Sequence, residues 1–166
     1  ATACLNNGTG TNSGIVGVTA AANRFFFVDC IAENNEGTNI FMTSVVGQEP
    51  YVYNCTAIGG ATGFNCGANA AIRMFNCLAH GASGNDFAGS IDTGSNNASE
   101  DTTALGTSPR TSQTFTFIDA AGFDYHLAAA DAGALNFGTD LSADATYAFD
   151  DDIDRQRFGV WDIGAD

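Results

Sequence analysis

The fold is decided by three stretches that superpose without gaps: VDCIAENN at 28–35, YNCTAIGG at 53–60 and FNCLAHGA at 75–82. Each has an apolar or aromatic residue, then Asn or Asp, then Cys, any residue, Ala and a turn. Cys4 in ACLNNG fits the Cys position, and Ala98 takes it after Asn97. The repeat therefore predicts a structural ladder at spacings of 26, 25, 22 and 21 residues, made of Cys4, Cys30, Cys55, Cys77 and Ala98.

Two further apolar segments recur with the ladder. One contains Ile40 or Phe41, Phe64 and Phe87, and the other precedes each Cys motif, as in NRFFF, EPYV and AAIRM. Three short strands per repeat, separated by Gly, Asn and Ser turns, predict an all-β right-handed parallel β-helix of about 21–26 residues per coil, closed by a C-terminal capping segment. A leucine-rich repeat lacks its leucine spacing here, and a β-sandwich would need longer alternating strands.

Alternation along a strand predicts which side chains fill the coil. We expect the apolar residue before Asn or Asp, the Cys and the Ala of each motif to point inward. Ile31, Thr56 and Leu78 would then form an outward stripe. Neighbouring coils lie about 4.8 Å apart, which is too far for an unstrained disulfide between ladder positions, so the cysteines are expected to be buried free thiols.

Composition and charge exclude several classes of protein. The chain of 166 residues is 45% apolar, has 19 acidic residues against five arginines and no lysine, and carries a net charge of −14. A protein so acidic does not suit nucleic acid or an anionic membrane as a partner. The apolar runs are too short for membrane insertion.

The C-terminal third differs from the repeats. We expect coils over 1–102 and, over 103–166, a loop and an Asp-rich segment that closes the same domain. That segment contains DYHL at 124–127, GTDLS at 138–142, DID at 152–154 followed by Arg157, and WDIGAD at 161–166. In these motifs the chain resembles parallel β-helix repeat proteins of bacterial, phage and metagenomic origin. The resemblance implies a secreted, cell-surface or virion protein and implies no particular activity.

The Asp-rich segment is also a candidate calcium site. Asp150, Asp152 and Asp154 alternate as the first ligands of a calcium loop do, and Asp144 could add an oxygen. An EF-hand is excluded because Arg155 and Trp161 stand where it needs Gly and Glu. The alternative is that these carboxylates form ion pairs with Arg155 and Arg157. Calcium is the only cofactor that the sequence suggests.

The sequence favours no catalytic residue, and enzyme activity stays open with the balance against it. Possible outward acids are Asp29, Glu33, Glu36 and Asp86, with His80 and Arg73 nearby. Asn54 and Asn76 replace Asp29 in later repeats, which is typical of a solvated polar ladder rather than of an acid–base pair.

The function expected is an extracellular structural or adhesive one, as part of a filament, a fibre or a virion surface. The partner would be a second copy or a longer β-helix precursor, joined through the open N-terminal coil. The alternative is a β-helix that binds or degrades polysaccharide, as a hydrolase or lyase. Residues expected to contact a partner chain or carbohydrate are Tyr51, Ile31, Leu78 and Phe25.

Overall fold

A computed structural model of the protein describes residues 2–5, 13–18, 24–43, 49–67, 71–154 and 159–165, with backbone alone at 2–5, 18 and 43. Within these ranges the chain forms strands β1 to β15 and one 3-10 turn at Ala120–Gly122. Among the described residues, no helix is long and apolar enough to cross a membrane.

Thirteen of these strands form three parallel sheets. Sheet A stacks β1 (Thr2–Leu5), β4 (Cys30–Glu33), β7 (Thr56–Ile58), β10 (Leu78–His80) and β13 (Ala98–Ser99). Sheet B stacks β2 (Ile15–Val18), β5 (Thr38–Thr43), β8 (Thr62–Asn65) and β11 (Asn85–Ala88). Sheet C stacks β3 (Arg24–Val28), β6 (Glu49–Tyr53), β9 (Arg73–Phe75) and β12 (Thr93–Ser95).

The chain visits sheets A, B and C in turn and then returns to A, one coil further along. This is a parallel β-helix with three strands per coil, which confirms the predicted fold class. In sheet A, Ala3 pairs with Ile31, and Thr56 pairs with Leu78. Successive pairs in this sheet are 28, 25, 22 and 20 residues apart, so the coils shorten toward the C-terminal end over a wider range than the predicted 21–26.

One residue at each corner between sheets C and A has a left-handed backbone. Asp29, Asn54, Asn76 and Asn96 have φ of 49°, 48°, 54° and 53°. Asn and Asp tolerate this conformation better than other residues with a Cβ, which explains why the repeat places them there.

The left-handed residue resets the inside–outside alternation. Cys55 lies inside the coil, but Tyr53 lies on the outer face with Leu141 and Trp161. Val28 and Phe75 pack in the same outer cluster. The prediction that these apolar residues point inward is therefore wrong, because strict alternation does not continue through a corner residue of opposite backbone hand.

The interior of the coils is apolar and buried. It contains Cys30, Cys55 and Cys77 beside Ala32, Ala57 and Ala79, and its other members include Ile40, Met42, Val52, Phe64, Cys66, Ile72, Met74 and Phe87. The predicted second column is confirmed in the form of Ile40, Phe64 and Phe87, which occupy one register. The rings of Phe64 and Phe87 stack with centroids 4.9 Å apart.

The predicted positions of the first and last ladder residues, Cys4 and Ala98, are wrong. Cys4 pairs with Ala32 rather than with Cys30, so it belongs to the Ala column. Ala98 pairs with Leu78, which leaves Asn97 opposite Cys77. The last coil places two Asn residues at its corner, and the second of these fills the Cys position. There the Asn97 Oδ1 accepts from the Cys77 N–H, and its Nδ2 donates to two carbonyl groups.

The C-terminal end of the coils is covered by residues 99–113. This stretch makes one shortened turn, in which Ala98 pairs with Arg110 only 12 residues later and Ser95 pairs with Thr107. Ala104 and Leu105 pack against the core. The carboxylate of Asp86 accepts hydrogen bonds from the Glu100 and Asp101 N–H groups, and the Asp101 carboxylate accepts from the Asp86 N–H. These bonds fasten the cap to the last full coil.

The remaining described residues, 114–154 and 159–165, form a C-terminal segment that runs back along the outside of the coils. It begins with an antiparallel hairpin of β14 (Phe117–Asp119) and β15 (Asp124–Leu127). Phe115, Tyr125, Leu127 and Ile163 pack on the outer stripe of sheet A, which includes Leu78. The predicted apolar stripe is therefore covered by the chain's own C-terminal segment. The Ala165 N–H donates to the Thr56 hydroxyl at 2.8 Å and holds the end of the segment there.

Candidate functional site

The outer face of sheet C carries a row of aromatic, basic and hydroxyl side chains. Phe26, Tyr51, Arg73 and Thr93 occupy the same register in successive coils, so neighbours in the row are about 4.8 Å apart. We call these four residues the sheet C row. The rings of Phe26 and Tyr51 stack, with centroids 4.8 Å apart and an angle of 18° between their planes.

Charged groups surround the Tyr51 ring. The guanidinium carbons of Arg24 and Arg73 lie 5.9 Å and 5.7 Å from its centroid, within the range of cation–π attraction. Glu49 Oε2 accepts from the Tyr51 hydroxyl at 2.7 Å and from Arg24 Nε at 3.1 Å. The Tyr51 bond, with help from the two arginines, lowers the pKa of Glu49, whereas burial and the Glu49 bond raise the pKa of Tyr51.

Aromatic side chains of the C-terminal segment lie beside the sheet C row. Tyr147 lies 5.2 Å from Phe26 between ring centroids, and Phe149 lies 6.1 Å from Tyr147. Phe26 is 37% exposed and Tyr147 is 43% exposed, whereas Tyr51 beneath them is 1% exposed. Phe26 and Tyr147 are thus held by contacts with other aromatic rings, and part of each ring is open to solvent.

A pocket of about 430 Å³ lies at the capped end of the same sheet. Its lining residues include Ser90, Ile91, Asp92, Thr93, Gly94, Gly106 and Thr107. Thr93 is also the last member of the sheet C row. The row therefore leads from exposed aromatic rings at the first coil into a pocket with hydroxyl and carboxylate groups.

The residues predicted to contact a partner chain or carbohydrate are buried or partly buried. Tyr51 and Leu78 are each 1% exposed, and Ile31 packs partly buried beside the cluster that contains Leu78. Phe25 points into the coil and packs against the core. This prediction is wrong for Tyr51 and Leu78 as surface contacts, because the C-terminal segment and the arginines cover them. Phe26, next to Phe25 but on the opposite face, is the exposed residue.

Two of the four candidate calcium ligands, Asp154 and Asp144, contact different groups. Asp154 Oδ2 lies 3.0 Å from His126 Nε2, while Asp124 Oδ1 lies 2.5 Å from His126 Nδ1. Asp144 Oδ1 accepts from the Tyr53 hydroxyl and from the Thr146 and Tyr147 N–H groups. In the described part of the chain, no three His, Cys, Asp or Glu residues form a group that could hold a metal ion. Calcium binding by Asp144, Asp150, Asp152 and Asp154 stays a prediction.

The outward acids considered for catalysis have different surroundings. Glu33 is buried against the hairpin, where the Tyr125 hydroxyl and Asn34 Nδ2 hydrogen-bond to it. Asp86 is buried at the cap, and burial raises its pKa. His80 lies 3.0 Å from the Glu100 carboxylate and packs its ring near Phe115 and Phe117. These contacts fasten coil, cap and hairpin to each other.

The Asp29 carboxyl group, near the N-terminal end of the coils, has a raised pKa. Burial, followed by the nearby Cys30 and by the Asp151 and Asp152 carboxylates, raises its pKa to about 7. Its Oδ1 atom is buried without a hydrogen-bond partner among the described residues. At the later corners, Asn76 and Asn96 use their side-chain amides as donors, whereas Asn54 Nδ2, like Asp29 Oδ1, is buried without a hydrogen-bond partner among the described residues.

The ladder thiols are free and buried. Cys30, Cys55, Cys66 and Cys77 have no disulfide partner among the described residues. Cys55 Sγ donates to the Tyr53 carbonyl at 3.3 Å, and Cys77 Sγ donates to the Phe75 carbonyl at 3.5 Å. Burial raises the pKa of Cys66 to about 12 and that of Cys55 well above its ordinary value. These groups behave as small apolar side chains rather than as nucleophiles.

The sequence offered a signal for part of this site. In the run RFFFV, alternation separates Phe26 from Phe25 and Phe27, but the expected inward position of Val28 assigned the outward face to Phe25 instead of Phe26. Tyr147 had no comparable signal because it lies outside the repeats. Comparison of the chain with protein-family models, with curated proteins and with solved structures finds no match in any of the three.

Proposed function

We propose that this protein is an extracellular structural or adhesive β-helix that associates through its N-terminal face. The observation that carries the proposal is the edge formed by β1, β2 and β3. Each is the terminal strand of its sheet, and among the described residues nothing pairs with its outer edge. Three unpaired edges at one end of a β-helix present backbone donors and acceptors to an added coil.

The opposite end does not offer such an edge. Residues 99–113 cover it through the pairings of Ala98 with Arg110 and Ser95 with Thr107. A filament grown end to end would need both faces open. Two copies that meet through their N-terminal faces would instead form a closed, isologous dimer, so we propose the dimer in preference to a filament.

Val16 offers a test of the dimer. It lies in β2 and is among the most exposed apolar side chains, so Val16→Lys would place like charges near each other where two N-terminal faces meet. The matched control is Ala88→Lys, which lies in β11, three coils further along sheet B.

Light scattering would give the mass of each variant. We expect the parent protein and Ala88→Lys to have twice the 17.1 kDa of one chain, and Val16→Lys to have the mass of one chain. A parent protein that stays monomeric at high concentration would contradict the proposal. A series of masses rising with concentration would favour a filament instead.

The extracellular location is proposed from the resemblance of the C-terminal motifs to secreted, cell-surface and virion β-helix proteins. Detection of the protein only in the cytoplasm of its source cells would contradict this part of the proposal.

Polysaccharide binding is the second candidate function, and the partly exposed rings of Phe26 and Tyr147 favour it. Aromatic rings held in place on a rigid face suit the apolar faces of sugar rings. Polysaccharide cleavage has less support, since the described carboxyl groups most suited to it are engaged with cap and hairpin. Retention of the protein on insoluble polysaccharide, with and without Phe26→Ala, tests the binding.

A further inference from the structure

Arg73 differs from the other described arginines. Arg24 pairs with Glu49, and Arg110 donates to Gln113 and to two backbone carbonyl groups. In the described part of the chain, the contact of Arg73 is with the Tyr51 ring, and no hydrogen bond or ion pair of its guanidinium is found. Its planar donors are therefore available to a ligand beside the exposed rings.

Glu49 interacts electrostatically with Arg73 but forms its hydrogen bonds with other groups. The Glu49 Oε2 atom accepts from both Tyr51 and Arg24. Two of the three described arginines thus lie against one tyrosine in a chain with a net charge of −14. A guanidinium 5.7 Å from the Tyr51 centroid, with no hydrogen-bond partner among the described residues, is suited to bind a carboxylate through two parallel hydrogen bonds.

We propose that the sheet C row binds an acidic glycan containing uronic acid residues, with a sugar carboxylate on Arg73 and a sugar ring against Phe26 and Tyr147. The proposal rests on the second candidate function, polysaccharide binding, and names the class of polysaccharide. The ligand lies along the axis of the β-helix, because the row runs in that direction across successive coils.

The residues beyond Arg73 in the sheet C row favour a glycan with alternating charged and neutral sugars over a uniformly charged one. Beyond Arg73 lies Thr93, and then the pocket with Ser90, Asp92 and Thr107. Hydroxyl and carboxylate groups accept hydrogen bonds from sugar hydroxyls, whereas Asp92 repels a second carboxylate. A glycan that alternates uronic acid with a neutral sugar therefore fits the row better than a polymer of uronic acid alone.

The probes that test this are oligosaccharides of hyaluronan, which alternates a uronic acid with a neutral sugar, and the same oligosaccharides after reduction of their carboxyl groups to alcohols. Calorimetry with the full chain would measure both affinities. We expect the acidic form to bind about tenfold more tightly than the reduced form, since a bidentate pair with Arg73 is lost on reduction.

Two variants separate the contributions of charge and ring. Arg73→Gln should bring the affinity for the acidic form down to that for the reduced form and leave the reduced form unchanged. Phe26→Ala should weaken both by about tenfold, because stacking does not depend on the carboxyl group. The matched control is Phe123→Ala, which removes a ring that is 65% exposed on the hairpin. Thermal melting shows whether each variant folds.

Each result of these binding experiments tests a different part of the proposal. Equal binding of both forms, with loss in Phe26→Ala, would overturn the acidic ligand and leave polysaccharide binding standing. Binding of the acidic form that is unchanged in Arg73→Gln would overturn the role of Arg73. No binding of either form to the folded parent protein would overturn both the proposal and the second candidate function.

Discussion

The carboxyl group of Asp29 lies in a column that is otherwise Asn. In the later coils Asn54, Asn76 and Asn96 take the same left-handed corner, and Asn76 Nδ2 donates to Asn54 Oδ1 at 3.0 Å. Neighbouring amides can donate to each other, whereas an ionised Asp only accepts. The Asp29 carboxylate also faces the negative charges of Asp151 and Asp152.

Asp29→Asn should stabilise the protein, and its effect should depend on pH. The pKa of this group is 3.8 ordinarily and about 7 in the folded chain, so the folded state favours the protonated form. The penalty is missing below pH 4, grows between pH 4 and 7, and is complete above 7. We expect a gain of roughly 1–3 kcal/mol in the free energy of unfolding above pH 7.

Urea unfolding of parent and variant across pH 3.5 to 8 would measure this gain. The control is Glu36→Gln, which makes the same change of net charge at an exposed position. A gain that is equal at all pH values, or that Glu36→Gln reproduces, would show that Asp29 is not penalised in the folded state.

The corner residues also mark how far sequence predicts this fold. Cys30, Cys55 and Cys77 gave the register because each coil repeats the same inward position. Tyr53 was misplaced because the backbone reverses its hand at Asn54, and no alternation rule contains that reversal. The register predicted for Ala98 was wrong by one residue because the last corner has two Asn residues. The position of Arg73 beside Tyr51 followed from the register, but its lack of a described carboxylate partner did not.

At the scale of elements, the molecule depends on its C-terminal segment as much as on its coils. On the outer face of sheet A, Ile31 and Leu78 lie on either side of Thr56, and the segment supplies Phe115, Leu127 and Ile163 to cover this row. A repeat pattern predicts the stripe but not its cover, because the covering segment has no repeat of its own. The packing of the C-terminal segment on sheet A is therefore visible only in the structure.

Leu78→Ala tests this packing. The side chain is 1% exposed, so its truncation should leave a cavity between sheet A and the segment and lower the free energy of unfolding by about 2–4 kcal/mol. The control is Ile118→Ala, which removes an apolar side chain that is 62% exposed, and which should change stability by under about 0.5 kcal/mol. Equal effects in chemical denaturation would mean that the segment does not pack on the coils in solution.

At the scale of the whole molecule, charge is distributed unevenly. Of the 19 acidic residues, 11 lie from Asp119 onward, in the C-terminal third of the sequence. Their mutual repulsion opposes the apolar packing of the C-terminal segment on sheets A and C. Among the described arginines, Arg24 and Arg110 are bound to nearby groups, so screening of the repulsion depends mainly on salt.

Salt and calcium should therefore stabilise the protein in the same general way. Raising NaCl from about 0.01 M to 0.15 M shortens the screening length from about 30 Å to 8 Å, and we expect Tm to rise by a few degrees. At equal ionic strength, CaCl2 and MgCl2 should give equal Tm, because the described carboxylates of Asp144 and Asp154 already bind other groups. A rise in Tm that saturates with calcium alone, and that Asp152→Asn abolishes, would instead establish the predicted calcium site.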